Sequence, residues 1–333
     1  MDTLRIIITG VAGFIGSALA KTLCNAGVEV IGIDNFLCGY ELNLVWVDTS
    51  IHKFTLYKLS ISDLEVSNII KKDDIIIHLA AITALPQNQV STNFSYKNNV
   101  LETLSILEVA RLKGASHFIF ASSCCVYENN IYTLPIKEDV ITQPSLIYSL
   151  GKKHCEELIE SYYHNYGLPY TIFRLFNAYG PGADESRLQP GVIPYIISQL
   201  KKGNPITLYG DGEQRRDYIF LWDLIELLVC IIKKGPVNTI INAASGKTIS
   251  TNEIFSIISE VINIYSQPTY KDIETLWDKF EDLFKGELPL KKSCVAHDVV
   301  KYTLGNTNKA LDIYNWKAKT SFKDGIIRLL NNV

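Results

Sequence analysis

The amino-acid sequence predicts an α/β fold: a doubly wound parallel sheet carrying a smaller C-terminal lobe. Three features carry that reading. Short apolar runs alternate with segments of helical apolar spacing through the first half of the chain, the pattern of strand–helix–strand units that cover a parallel sheet on both faces. The first run leads straight into the glycine-rich turn Thr9-Gly10-Val11-Ala12-Gly13-Phe14-Ile15-Gly16. A chain of 333 residues, 47% hydrophobic and 20% charged, also has the material for one large or two unequal domains around a substantial core.

In chain order, strands are expected over 4–8, 29–33, 75–78, 118–121 and 170–174, with helices over 15–26, 93–112 and 152–166 between them. From Asn177 the punctuation changes. Pro181, Pro190, Pro194 and Pro205 interleave with Gly180, Gly182, Gly191, Gly203, Gly210 and Gly212, which marks loop-rich chain. A helix is expected over 223–233, and a strand over 237–243 that can rejoin the first sheet. From about residue 249 the spacing is mostly helical. No long linker or low-complexity tract intervenes, so the lobes are expected to pack closely.

Charge and cysteine usage exclude several classes. A net charge of −3 gives no reason to expect nucleic acid or an anionic membrane as partner. No run of eighteen apolar residues suggests a membrane span. Met1-Asp2-Thr3-Leu4-Arg5 runs into a strand pattern without a signal-peptide layout, so a cytoplasmic protein is expected. Seven cysteines without metal-ligand spacing read as reduced thiols, with no metal site.

The spacing Gly10-x-x-Gly13-x-x-Gly16 has a mechanical reason. The first glycine permits a tight turn, the second lets backbone approach a pyrophosphate, and the third lets helix and strand pack closely. The helix beginning near Phe14 would point its N-terminal amides at that anion. A glycine triplet is often only a turn, but Asp34 ends the second strand 18 residues after Gly16. A carboxylate there takes the ribose hydroxyls and repels a 2′-phosphate. No Arg follows it through Tyr40, which favours NAD over NADP; the alternative is a surface Asp opening a turn before Asn35.

Tyr148 and Lys152 are four apart, so on a helix they share one face. A lysine ammonium beside a phenol favours its ionised form. Bringing a Tyr to near-neutral pKa takes about 4 kcal/mol, some of it supplied by a cationic nicotinamide. The preceding buried strand ends in Ser122-Ser123-Cys124-Cys125, which delivers two hydroxyls to the sheet's carboxyl edge. A serine there either relays a proton to Tyr148 or merely satisfies backbone groups at a strand end.

These segments resemble those of the extended short-chain dehydrogenase/reductases, in the NAD-dependent nucleotide-sugar epimerase/dehydratase group. The resemblance covers nearly the whole chain. It includes the glycine turn, Asp34-Asn35, His78-Leu79-Ala80-Ala81, Asn99, Ser122 to Tyr127, Tyr148 to Lys152, and Arg174-Leu175-Phe176-Asn177-Ala178-Tyr179-Gly180-Pro181. Leu208-Tyr209-Gly210-Asp211-Gly212 and Arg216-Asp217-Tyr218 complete it. It implies a Rossmann-type domain over 1–176 plus about 217–245, and a nucleotide-sugar lobe over about 177–216 and 246–333.

The resemblance further implies a catalytic set of Ser123, Tyr148 and Lys152. NAD would lie against Gly10, Gly13, Phe14, Ile15, Gly16, Asp34, Asn35, Ser60, Ile61, Leu79, Ala80, Ala81, Asn99, Tyr148, Lys152 and Leu175. Substrate contacts would come from Ser123, Asn177, Val192, Tyr209 and Arg216. An Arg fork and an amide suit diphosphate oxygens, and a Tyr ring suits a base. Arg215 is adjacent to Arg216 and offers the same fork, and Asp217 offers Arg216 a surface partner instead. The family's second arginine in the C-terminal lobe has no counterpart in Lys291-Lys292-Ser293-Cys294-Val295-Ala296-His297-Asp298, so Lys291 or Lys292 would supply that charge.

Family dehydratases place Asp and Glu after the strand-end Ser/Thr, and decarboxylases a Glu, whereas this chain has Cys124-Cys125. The expected activity is therefore NAD-dependent C4 epimerisation of a nucleotide-diphosphate sugar, with a UDP-hexose favoured. Cys125 keeps open a thiol-assisted 3,5-epimerase or keto-sugar reductase, although 183–190 offers no Lys or His partner. Dehydration, decarboxylation and a non-catalytic NAD-binding module are the remaining alternatives. The resemblance also implies a homodimer through the helices over 93–112 and 152–166.

Overall fold

Ile6, Ile7 and Ile8 alternate across the sheet, as successive side chains of a strand must. Ile6 and Ile8 pack with Leu19, Leu224 and Leu228, while Ile7 packs on the other face with Ile106, Leu107 and Ile159. Both faces are apolar, so both carry helices. In the computed structural model, which describes residues 4–46, 53–127, 133–182, 190–300 and 302–331, the result is a seven-stranded, all-parallel Rossmann-type sheet. Its strands are β1 (Arg5–Thr9), β2 (Glu29–Ile33), β3 (Phe54–Tyr57), β4 (Ile75–His78), β5 (His117–Ser123), β6 (Tyr170–Leu175) and β7 (Thr239–Ala243). They lie in the order β7-β6-β5-β4-β1-β2-β3. The direction of winding reverses between β1 and β4, and the carboxyl ends there open a crevice for ligands.

Three differences from the expected elements bear on that crevice. β3 pairs with β2 at the sheet edge; three of its four residues are exposed, so it shows no buried apolar run in the sequence. The helix expected over 93–112 is broken into Thr92–Tyr96, a π-helical turn at Lys97–Leu101 and Glu102–Lys113, with a further short helix, Leu85–Val90, before it. The helix expected from residue 152 begins at Ile147 and runs to Tyr166 (α1, here), which puts Tyr148 and Lys152 together on its first turns. Gly151 lies between them, where a Cβ would sit a tight 3.2 Å from the Val100 side chain on the neighbouring helix.

Beyond β6 the chain makes a second, smaller sheet. Asn177–Tyr179 pairs parallel with Arg215–Phe220, which pairs antiparallel with Thr248–Ser250. Thr207–Tyr209 pairs with Thr269–Lys271, a strand inside the stretch expected to be mostly helical. Two further apolar clusters support these pieces, one around Ile196, Phe220 and Ile258, the other around Leu146, Trp277, Phe280 and Val295. Among the described residues, no helix is long and apolar enough to cross a membrane.

Candidate active site

Backbone geometry shapes the floor of the crevice. Gly10 has φ +72°, and a Cβ on it would sit 2.7 Å from the Ala80 amide nitrogen; one on Gly16 would sit 2.2 Å from the Gly10 carbonyl oxygen. The turn therefore admits only glycine at both positions. The helix Phe14–Asn25 starts at Gly13 with no side-chain cap, which leaves its first amides for an anion. Asp34 is buried, its Oδ2 accepting from Ala12 N at 2.9 Å and its Oδ1 from Phe36 N at 2.8 Å. Burial pushes the Asp34 carboxyl upward, against those two amides. Each oxygen retains a lone pair for a hydroxyl. A cradle that a methyl group would fill, uncapped amides and a carboxylate at the end of β2 fit a dinucleotide.

These groups line one continuous cleft of about 1870 Å³ that crosses to the smaller sheet, larger than the roughly 300–1,000 Å³ of a single small-ligand site. Gly10, Gly13, Phe14, Ile15, Gly16, Asp34, Asn35, Ile61, Leu79, Ala80, Ala81 and Leu175 all face it, as do Ser123, Cys125, Tyr148 and Lys152. So do Asn177, Val192, Tyr209 and Arg216. Ser60 and Asn99 stand behind the lining instead. Ser60 Oγ accepts from Asn35, and its amide donates to Asp63. Asn99, on the π-helical turn, accepts from Ile82 N at 2.8 Å and donates to Ile82 O at 3.1 Å and to Asn88 Oδ1 at 2.9 Å. It pins the loop after β4 rather than reaching the cleft.

The acid/base groups gather where α1 meets the end of β5. Tyr148 is 7% exposed, and the Ser123 hydroxyl lies close enough to favour its ionised form. Ser123 Oγ also accepts from Cys125 N at 3.2 Å. Lys152 Nζ donates to Ala121 O at 2.7 Å and lies 4.6 Å from the Phe120 ring centroid and 5.9 Å from that of Tyr148. Burial dominates both titrations. It pushes the Tyr148 hydroxyl well above the ordinary phenol range, helped by Cys125 and opposed by Ser123. It pushes Lys152 down to about 8, opposed by Cys155 and Glu156. In the protein alone, then, Lys152 does not bring Tyr148 toward neutrality; a further positive charge beside the phenol is required. His78 beneath them is buried between Thr9 and Thr103 hydroxyls and held down to about 3, by burial first and then by Lys152.

On the substrate side the small sheet sets Asn177 opposite Tyr218, so Asn177 and Arg216 come from adjoining strands. Arg216 donates to the Asp298 carbonyl at 2.7 Å. Arg215 turns away, to Glu253 at 2.8 Å and Thr248 at 3.2 Å, and does not face the cleft. Asp217 is fully taken up by the Ser245, Gly246 and Gly305 amides and the Ser245 hydroxyl, so it is not Arg216's surface partner. Lys291 and Lys292 do not line the cleft; Lys292 pairs with Asp278 and lies over Phe284. Lys279, Trp277 and Phe280 do line it, and nothing in their local spacing announces it. Residues 183–189, most of the stretch that offers Cys125 no Lys or His partner, lie outside the described residues.

A sequence profile of the NAD dependent epimerase/dehydratase family matches residues 6–244. A putative UDP-glucose 4-epimerase of Methanocaldococcus jannaschii is 30% identical over 327 residues, which cover 98% of this chain and 97% of that protein. UDP-glucuronic acid decarboxylase 1 of Arabidopsis thaliana is 29% identical over 336 residues, covering 99% of this chain and 69% of the plant protein. Among solved structures, a Thermotoga maritima UDP-glucose 4-epimerase with UDP-glucose aligns at TM-score 0.85 and 26% identity, over 98% of each chain.

Proposed function

Because this chain belongs to the NAD dependent epimerase/dehydratase family, we propose that it inverts C4 of a nucleotide-diphosphate sugar, a UDP-hexose being the favoured substrate. The observation that carries the reading is the pairing of Tyr148, Lys152 and Ser123 beside the glycine cradle with thiols, not carboxylates, at positions 124 and 125. Dehydration and decarboxylation call for an additional acid at the strand end; C4 inversion does not.

NAD, when bound, supplies the hydride acceptor and donor for sugar C4; Asp34 would hold its ribose and the Gly10–Gly16 turn its pyrophosphate. Tyr148, ionised when the bound cofactor adds its positive charge beside it, takes the proton from the sugar O4 as phenolate and later returns it, with Ser123 placed to hydrogen-bond both oxygens. Lys152 contributes positive charge beside the phenol. Asn177 and Arg216 hold the diphosphate, Val192 and Tyr209 border the base, and the hexose is left free to present its other face. In this division residues 1–176 and about 217–245 bind the cofactor, while about 177–216 and 246–333 bind the sugar nucleotide. A homodimer through Glu102–Lys113 and Ile147–Tyr166 is part of the proposal; exposed Leu112 and Tyr166 on these helices support it.

The test is incubation with a panel of UDP-, GDP-, CDP- and dTDP-sugars, followed by NMR of products. Inversion at C4 without net NADH is expected, and Tyr148→Phe should lower turnover by about 10²–10⁴-fold. Near-normal turnover by that variant would overturn the scheme. Cys125, which borders the cleft and pushes Tyr148 upward, favours one second reading, a thiol-assisted 3,5-epimerisation.

A further inference from the structure

The catalytic helix carries a buried charge that the mechanism above does not use. Glu156 is 0% exposed and stands one turn beyond Lys152 on α1. Arg174 of β6 clamps it with two parallel bonds, Nε to Oε1 at 2.9 Å and an Nη to Oε2 at 2.8 Å. The Ser122 hydroxyl donates to Oε1 at 2.6 Å. Ser122 and Arg174 are register partners across β5 and β6, so one carboxylate ties two strands to the helix. Two successive residues of β5 are thereby engaged by two successive turns of one helix. Lys152 takes the Ala121 carbonyl and Glu156 the Ser122 hydroxyl, and Ser123, the next residue of β5, lies beside Tyr148.

We propose that Glu156 is a positioning residue: clamped by Arg174 and Ser122 one turn beyond Lys152, its carboxylate is the buried negative charge on the Lys152 side of the helix and seats the end of β5 against that helix. This rests on the acid/base roles given to Tyr148 and Lys152 above. The groups facing Lys152 support the assignment. From its own helix come Tyr148, Cys155 and Glu156; from β5, the Phe120 ring and the Ala121 carbonyl; from β4, His78, which is held neutral and carries no charge of its own. Glu156, with Arg174 beyond it, is the buried carboxylate of that set. An ammonium in such surroundings without a carboxylate neighbour sheds its proton readily.

The experiment reads the Lys152 titration directly, by trace acetylation with acetic anhydride across a pH series and mass spectrometry of the Lys152 peptide. In Glu156→Gln the midpoint should fall by about one pH unit or more, a tenfold change in acid constant, while Glu156→Asp stays close to the unaltered protein. If Glu156→Gln does not fold because Arg174 is left unpaired, the doubly neutral Glu156→Gln/Arg174→Met is read for a smaller downward shift, because a more distant positive charge leaves with the carboxylate. An unchanged midpoint in the folded neutral variants would reduce Glu156 to a structural clamp and overturn the proposal. Because labelling needs no turnover, a shifted midpoint without C4 inversion on the sugar panel would sink the epimerase reading and leave this one standing; inversion with an unshifted midpoint would do the reverse.

Discussion

Replacing Lys152 by Met should make the protein more stable at neutral pH while abolishing its activity. The lysine is 3% exposed, and burial lowers it from 10.5 to about 8. That displacement of a basic group is worth about 3 kcal/mol at roughly 1.4 kcal/mol per unit. The sign follows from proton counting. Between pH 8 and 10.5 the unfolded chain still holds the proton that the folded protein has released, so stability rises with pH through that window. Below pH 8 both states are protonated and the cost of burying the ammonium is fully present. Met fills similar space without the charge, but leaves the Ala121 carbonyl without its 2.7 Å donor, a loss of about 1 kcal/mol. The net expectation at pH 7 is a gain of about 2 kcal/mol, vanishing and reversing as pH approaches 10.5. Urea unfolding of cofactor-stripped protein at pH 7 and pH 10.5, for the unaltered chain and the variant, measures it. A variant less stable at pH 7, by the same amount as at pH 10.5, would refute the argument.

Three other outcomes are expected. Gly16→Ala should lose NAD binding in equilibrium dialysis and about 1–3 kcal/mol of stability, because its Cβ would press to 2.2 Å from the Gly10 carbonyl oxygen. Arg216→Gln should raise KM for the sugar nucleotide by about tenfold or more, the loss of a charged phosphate contact, whereas Arg215→Gln, which removes only the Glu253 pair, should leave KM nearly unchanged; steady-state kinetics separates them. Cys125→Ser should leave C4 inversion within a few-fold, and a collapse of activity measured by product NMR would turn the reading to thiol chemistry.

The Rossmann-type sheet was legible because its strands are covered on both faces and therefore read as unbroken apolar runs; β5 is buried along all seven residues. The glycine turn was legible because backbone contacts forbid any side chain there. β3 escaped because an edge strand with three exposed residues has no such run. The helix carrying Tyr148 begins earlier than its spacing suggests, since Gly151 obscures its helical start; the close packing of Val100 against that glycine shows only in the fold.

What the sequence determined by itself is what short-range sterics and periodicity can encode: the parallel sheet, the pyrophosphate turn, Asp34 at the end of β2, and the spacing of Tyr148 and Lys152. Tertiary structure alone decided which charges reach the cleft. It turned Arg216 inward and Arg215 toward Glu253, drew Lys292 to Asp278, brought Lys279 and Trp277 to the cleft wall, and set Asn99 behind it. It also placed Glu156, from one turn beyond Lys152, against partners on two strands. Adjacent polar residues look alike in sequence, and only the packing of distant segments determines which of them is desolvated and by what it is met.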